Sequence, residues 1–104
     1  LKLVSGSKSR YRVTAEIQVL LDLIEFGAEL PDAVNHSRIH AEYAADTIYL
    51  EPDVPPNVRD ELLAMGWKCP VVDMAVPMCT IMSHGTGKIE STADPRGGGG
   101  LWLA

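Results

Sequence analysis

Several things are scarce in this sequence, and each scarcity removes a class of protein. There are two cysteines, Cys69 and Cys79. They are too few for a disulfide scaffold and too far apart for a Cys-x-x-Cys redox motif. On neighbouring strands they could bridge, but buried free thiols are the reading favoured by so few cysteines, which leaves the compartment open. No apolar run approaches the ~20 residues that a bilayer-spanning helix needs, so no membrane span is expected. No basic segment precedes an apolar one at the start, so no signal peptide is expected, and Leu1 in place of methionine reads as the start of a processed or excised piece. Basic residues are outnumbered: 9 Lys and Arg against 14 Asp and Glu leave −5 at pH 7. That balance argues against nucleic acid as a partner. With 46% hydrophobic and 22% charged residues, disorder driven by charge is excluded as well.

What is present suffices for one domain. A chain of 104 residues buries roughly 65% of its unfolded surface on folding. Leu1–Ser5 alternates and predicts a short strand, leading into the small-residue turn Ser5–Arg10. From about Thr14 to Phe26 the pattern is helical, with Gly27 as the stop. Leu30–Asn35 reads as a short helix begun by Pro31, Ser37–Ala41 as extended or irregular, and Thr47–Glu51 as a strand. Pro55 and Pro56 open a helix over Asn57–Met65, with Val58, Leu62 and Met65 on one face and Gly66 at its end. Trp67–Val72 reads as a strand, edge-like or irregular because of Pro70. Met78–Ser83 and Lys88–Thr92 form a hairpin about His84–Gly87, with His84 solvated in the turn. The expected order is β-α-α-β-α-β-β-β, an α+β unit over residues 1–96 with a flexible glycine-rich tail at 97–104.

The first long helix carries more apolar surface than one neighbouring layer covers. Thr14, Gln18, Asp22 and Glu25 fall within ~80° of arc, while Val13, Ala15, Ile17, Val19, Leu20, Leu21, Leu23, Ile24 and Phe26 spread over ~240°. Such a helix wants a sheet beneath it and a further partner beside it. Glu16 falls inside the apolar arc, and a local pairing with Arg12 is the expectation for it.

Motif searches remove several chemistries. Gly6-Ser7-Lys8-Ser9 lacks the order and spacing of a phosphate-binding loop, and Gly87-Lys88 is followed by Ile89 rather than Ser or Thr. His36 and His40 stand four apart, a spacing that on a helix would present two imidazoles to a metal, with Glu42 as third ligand. The segment does not read as a helix, so no metal and no cofactor are expected. No serine or cysteine sits in a nucleophile elbow, and Leu1 cannot act as an N-terminal nucleophile.

One resemblance covers about Leu3 to Gly98. The run Thr14–Leu21, then Phe26-Gly27, Asp32-Ala33-Val34 and Ser37-Arg38-Ile39-His40, is similar to that of γ-glutamyltranspeptidases (glutathione hydrolases). Tyr49-Leu50-Glu51-Pro52, Leu62–Gly66, Ile81-Met82 and Ala93-Asp94-Pro95-Arg96 follow in the same order, the last being the most specific match. The resemblance implies part of an N-terminal-nucleophile hydrolase, a four-layer αββα sandwich whose precursor cleaves itself into large and small subunits. The new N-terminal threonine of the small subunit attacks the γ-glutamyl amide, and water or an amine resolves the acyl-enzyme. This chain resembles the C-terminal half of that small subunit. The resemblance therefore implies as partners an upstream small-subunit segment, bearing the nucleophile, and the large subunit. Family members are often periplasmic or extracellular.

The same resemblance assigns residues. Paired glycines of the family donate backbone N–H groups to the oxyanion. Ser9 and Arg10 match them, or Lys8 and Ser9 with a shift of one, and the loss of both glycines and the preceding proline puts catalysis in doubt. Arg38, His40, Asp94 and Arg96 match motif positions, and the two arginines are expected to pin loops through carboxylates and carbonyls. The resulting expectation is a fragment or degenerate relative, inactive alone. The alternative is a small non-catalytic interaction module that associates with itself or a partner through the wide helix face, burying Val19, Leu23 and Phe26. Both readings expect part of the core to lie outside these residues.

Overall fold

The computed structural model describes residues 2–6, 10–41, 46–74, 77–85 and 87–97. Their elements are β1 (Lys2–Gly6), α1 (Arg12–Ile24), α2 (Leu30–Asn35), β2 (Ile39–Ala41), β3 (Ile48–Leu50), α3 (Pro56–Ala64), β4 (Cys79–Ser83) and β5 (Ile89–Thr92). They divide into two compact units, one of residues 1–36 and 75–104, the other of residues 37–74 inserted within it.

The first unit is built on an antiparallel sheet in the order β1-β4-β5. β1 pairs with β4 from Lys2–Ser83 to Gly6–Cys79, and β4 pairs with β5 from Thr80–Thr92 to Ser83–Ile89. Because side chains alternate along a strand, Thr80 and Met82 share one face and Cys79 and Ile81 the other. Thr80 and Met82 are buried; α1 lies against β1 and α2, and α2 lies against β5. The helices thus cover one face of the sheet. The other is bare, with Ile81 52% and Ile89 67% exposed. The core of this unit is made of Ala15 and Val19 from α1, Leu30, Ala33 and Val34 from α2, and Met78 and Met82.

Gly27 ends the first helical segment as its sequence implies. At φ +66 it takes a conformation that side chains disfavour, and it turns the chain so that Ala28 N–H reaches the Asp22 carbonyl at 2.8 Å. The helix itself begins at Arg12 and ends at Ile24, slightly before the expected span, and Tyr11 at its N-cap makes no side-chain capping bond. Val13, Ile17, Leu21 and Ile24 are exposed and lie within ~80° of arc, across the helix from buried Ala15 and Val19. The wide apolar arc therefore resolves into two opposite sides, one buried and one open. Val19, expected at an outer interface, is instead 1% exposed within the unit. Glu16 is half-buried and makes no ion pair with Arg12 among the described residues.

In the second unit the stretch expected to be extended or irregular contains β2, which pairs antiparallel with β3, Ile39 opposite Leu50. Residues 67–72, expected as a strand made edge-like or irregular by Pro70, form no continuous strand. They lie parallel to β3 through single bridges, Thr47–Lys68 and Leu50–Val71. Ile48 N–H donates to Lys68 (2.8 Å), Leu50 N–H to Pro70 (3.0 Å) and Val72 N–H to Leu50 (2.9 Å). Pro70, having no N–H, cannot supply the intervening bond, and the ladder breaks there. Ile48, Leu50 and Cys69 form the buried cluster, with Ile39, Val54 and Leu62 packed against it. Of the expected apolar face of α3 only Leu62 packs inward; Val58 and Met65 are exposed. Gly66, at φ +99, closes α3 with Gly66 N–H to the Leu63 carbonyl (3.0 Å) and Trp67 N–H to the Leu62 carbonyl (3.2 Å).

Candidate functional site

The two units place the motif residues in separate groups. In the first, Asp94 is buried and its carboxylate accepts at both oxygens. Oδ2 accepts from Met78 N–H at 2.8 Å, and Oδ1 accepts from Arg96 N–H and from Arg96 Nη1, each at 3.0 Å. Arg96 then reaches back across the sequence. Its Nη1 also donates to the Val34 carbonyl at 2.9 Å and its Nη2 to the His36 carbonyl at 2.8 Å. Side-chain exposure is 12% for Arg96 and 1% for Asp94. A charge so far from water is tolerated only when paired and hydrogen-bonded, and here both conditions hold. Each of these five bonds ends on main chain or lies within the pair.

His36 closes the end of α2 and its Nδ1 lies 2.8 Å from Asp22 Oδ2 on α1. Neither the helical pairing with His40 nor a shared face exists, since His40 is in β2 and stacks near-parallel to Tyr49, with ring centroids 6.3 Å apart. Glu42, the third ligand considered, lies outside the described residues. His84 is not simply solvated: its Nε2 sits 2.6 Å from Glu90 Oε2 across the β4–β5 hairpin.

In the second unit Arg38 is 2% exposed. Its backbone N–H donates to Glu51 Oε1 at 2.7 Å, and its carbonyl accepts from Glu51 N–H at 3.1 Å. Sequence reasoning did not single out Glu51, although a glutamate closing an apolar strand immediately before Pro52 was the available signal. Asp22 was missed as well, and no local signal marks it, because its partner lies fourteen residues away.

Of the oxyanion-loop matches, Lys8 and Ser9 lie outside the described residues. Arg10 is exposed before α1, its guanidinium carbon 5.2 Å from the centre of the Tyr11 ring, within cation–π range. The strand that leads to them ends at Gly6, paired with Cys79. Both thiols are free; Cys69 is buried as expected, whereas Cys79 is exposed because it points to the bare face of the sheet. The tail at 97–104 is described only at Gly97.

The family described as Gamma-glutamyltranspeptidase matches residues 2–103. The chain belongs to this family. It is 27% identical over 95 residues to the glutathione hydrolase proenzyme of Escherichia coli (strain K12), a match covering 90% of this chain and 16% of that protein. Among solved structures it is similar to a highly active mutant of the γ-glutamyltranspeptidase from Pseudomonas nitroreducens, with 31% identity and a TM-score of 0.89 over 98% of this chain and 55% of that one. A Helicobacter pylori γ-glutamyltranspeptidase mutant gives 25% identity and a TM-score of 0.82, covering 91% and 54%. The α+β arrangement is thus part of an N-terminal-nucleophile hydrolase sandwich, and the chain spans about half the length of the solved relatives' chains.

Proposed function

We propose that residues 1–96 serve as the C-terminal portion of a γ-glutamyltranspeptidase small subunit, with 97–104 a tail. In this reading the chain is scaffold for γ-glutamyl transfer or hydrolysis. The threonine nucleophile, and the groups that grip the γ-glutamyl substrate, come from polypeptide outside these residues, and the 104 residues are inactive alone. The observation that carries the reading is coverage: 98% of this chain superposes on 55% of a relative's. The bare sheet face around Ile81 and Ile89 supports it, because a four-layer sandwich packs a second sheet there. Arg38, His40, Asp94 and Arg96 act on the chain rather than on substrate. The bonds from Arg96 to the Val34 and His36 carbonyls support that role.

The test is hydrolysis of a γ-glutamyl anilide by the 104 residues, alone and supplemented with a threonine-led small-subunit segment and a large subunit. Turnover is expected only from the supplemented mixture. Turnover by the 104 residues alone would overturn the inactive-scaffold reading.

A second reading is favoured by the open side of α1. Four apolar residues in one stripe, with Phe26 beyond them, suit docking by a second copy or a partner. A monomer at all concentrations on size exclusion removes self-association through this stripe.

A further inference from the structure

The first unit has two uncovered apolar surfaces, and they face opposite ways. One is the bare side of the sheet around Ile81 and Ile89. The other is the stripe Val13, Ile17, Leu21 and Ile24 on α1, whose opposite side, Ala15 and Val19, packs into the unit. The remaining layers of an αββα sandwich stack on the bare sheet. They do not reach the stripe, because the sheet and α1 itself stand between. Neighbouring helices of the same layer lie beside a helix and touch its flanks, not its outward side. The stripe is therefore left over when the sandwich is complete.

Its pattern identifies an occupant. Steps of four, four and three residues keep the side chains nearly along the helix axis, over roughly 16 Å. They are spaced almost evenly about a point between Gln18 and Val19. A two-fold axis there sets Val13 against Ile24 of a second copy, and Ile17 against Leu21. At about 100° per residue both members of each pair fall on the same flank of the stripe, as an antiparallel two-fold contact requires. Charge sets the direction. Arg10 is exposed just before α1, over the Tyr11 ring, and Glu25 is exposed just after it. Antiparallel copies bring Arg10 of one to the end that holds Glu25 of the other, whereas parallel copies would set arginine beside arginine. α1 also has no acid in its first turn and no base in its last, so its side chains there do not offset its dipole. An antiparallel neighbour does so at both ends.

We propose that a second copy of the protein occupies this stripe, α1 against α1 in antiparallel order. The proposal rests on the docking reading given above for the open side of α1 and names its occupant. The contact is one helix wide and smaller than the ~1,600 Å² of a standard interface, so the dimer is weak, with Kd on the order of 10–100 μM.

The test is sedimentation velocity on the polypeptide as its gene encodes it, from ~1 μM to ~1 mM, where monomer is expected to pass to dimer. Ile17→Asp should leave monomer throughout. Arg10→Glu and Glu25→Arg should each weaken the dimer about tenfold, because each dimer has two such ends, and the double reversal should restore it to within about threefold. Restoration is specific to antiparallel order, since in a parallel dimer the double reversal still sets like charges together. A dimer that survives Ile17→Asp, or that neither single reversal weakens, overturns the proposal. So does a protein that stays monomeric up to ~1 mM, and thermal unfolding of Ile17→Asp then tells the two failures apart. A midpoint lowered by several degrees means that another segment of the same polypeptide covers the stripe, so the docking reading stands and the second copy falls. An unchanged midpoint removes the docking reading as well.

Discussion

His36 is held from two directions by residues distant in sequence. Its imidazole meets the carboxylate of Asp22 at 2.8 Å, and its carbonyl accepts from Arg96 Nη2, also at 2.8 Å. α1, the end of α2 and the C-terminal turn thereby meet at one residue. The two contacts differ in weight: the imidazole pair is open to water, while the guanidinium side is largely buried. Exposed ion pairs contribute little, so His36→Ala is expected to lower unfolding stability by under about 1 kcal/mol, because the carbonyl contact survives it. Urea denaturation checks this.

Gly97 sits against the ring of Pro77. A Cβ at Gly97 would come 2.6 Å from Pro77 Cβ and 3.3 Å from its Cγ. A proline ring cannot swing aside as a flexible side chain would, so the backbone must yield. Gly97→Ala is expected to cost about 1–3 kcal/mol, read as a shift in the denaturation midpoint. An unchanged midpoint would mean that this turn moves freely.

Glu51 offers a test within the second unit. Its side chain accepts from the buried N–H of Arg38. Glu51→Ala leaves that donor without its acceptor, at about 1–3 kcal/mol, whereas Glu51→Gln retains an oxygen and should lose less. Equal losses in the two variants would contradict this account of Glu51.

The open stripe of α1 separates folding from association. Ile17 and Leu21 are exposed, so Ile17→Asp or Leu21→Lys is expected to change the stability of the isolated chain by no more than about 0.5 kcal/mol. The same substitutions should abolish any self-association or subunit binding made through the stripe, as read by sedimentation. A large loss of stability in the isolated chain would place the stripe in its own core.

The helices and the β4–β5 hairpin were legible in the sequence because their causes are local. An apolar repeat marks α1, Pro55 and Pro56 mark the start of α3, and Gly27 and Gly66 supply the backbone conformations that end helical segments. The family was legible too, through short motifs in a fixed order. What the sequence could not decide were relations between distant residues. β2 is a strand because β3 stands beside it, and the partner that residues 67–72 meet, β3 through single bridges on either side of Pro70, was likewise set by the fold. The sequence likewise presented α1 as one broad apolar arc. Packing against α2 and β1 divided it into a buried side and an open one. Asp94 and Arg96 were marked by their motif alone; their bonds to Met78, Val34 and His36 arise because the fold returns the C-terminal turn to both chain crossings. Local propensity acts over a few residues, whereas burial and hydrogen-bond pairing are settled only when segments far apart in sequence meet.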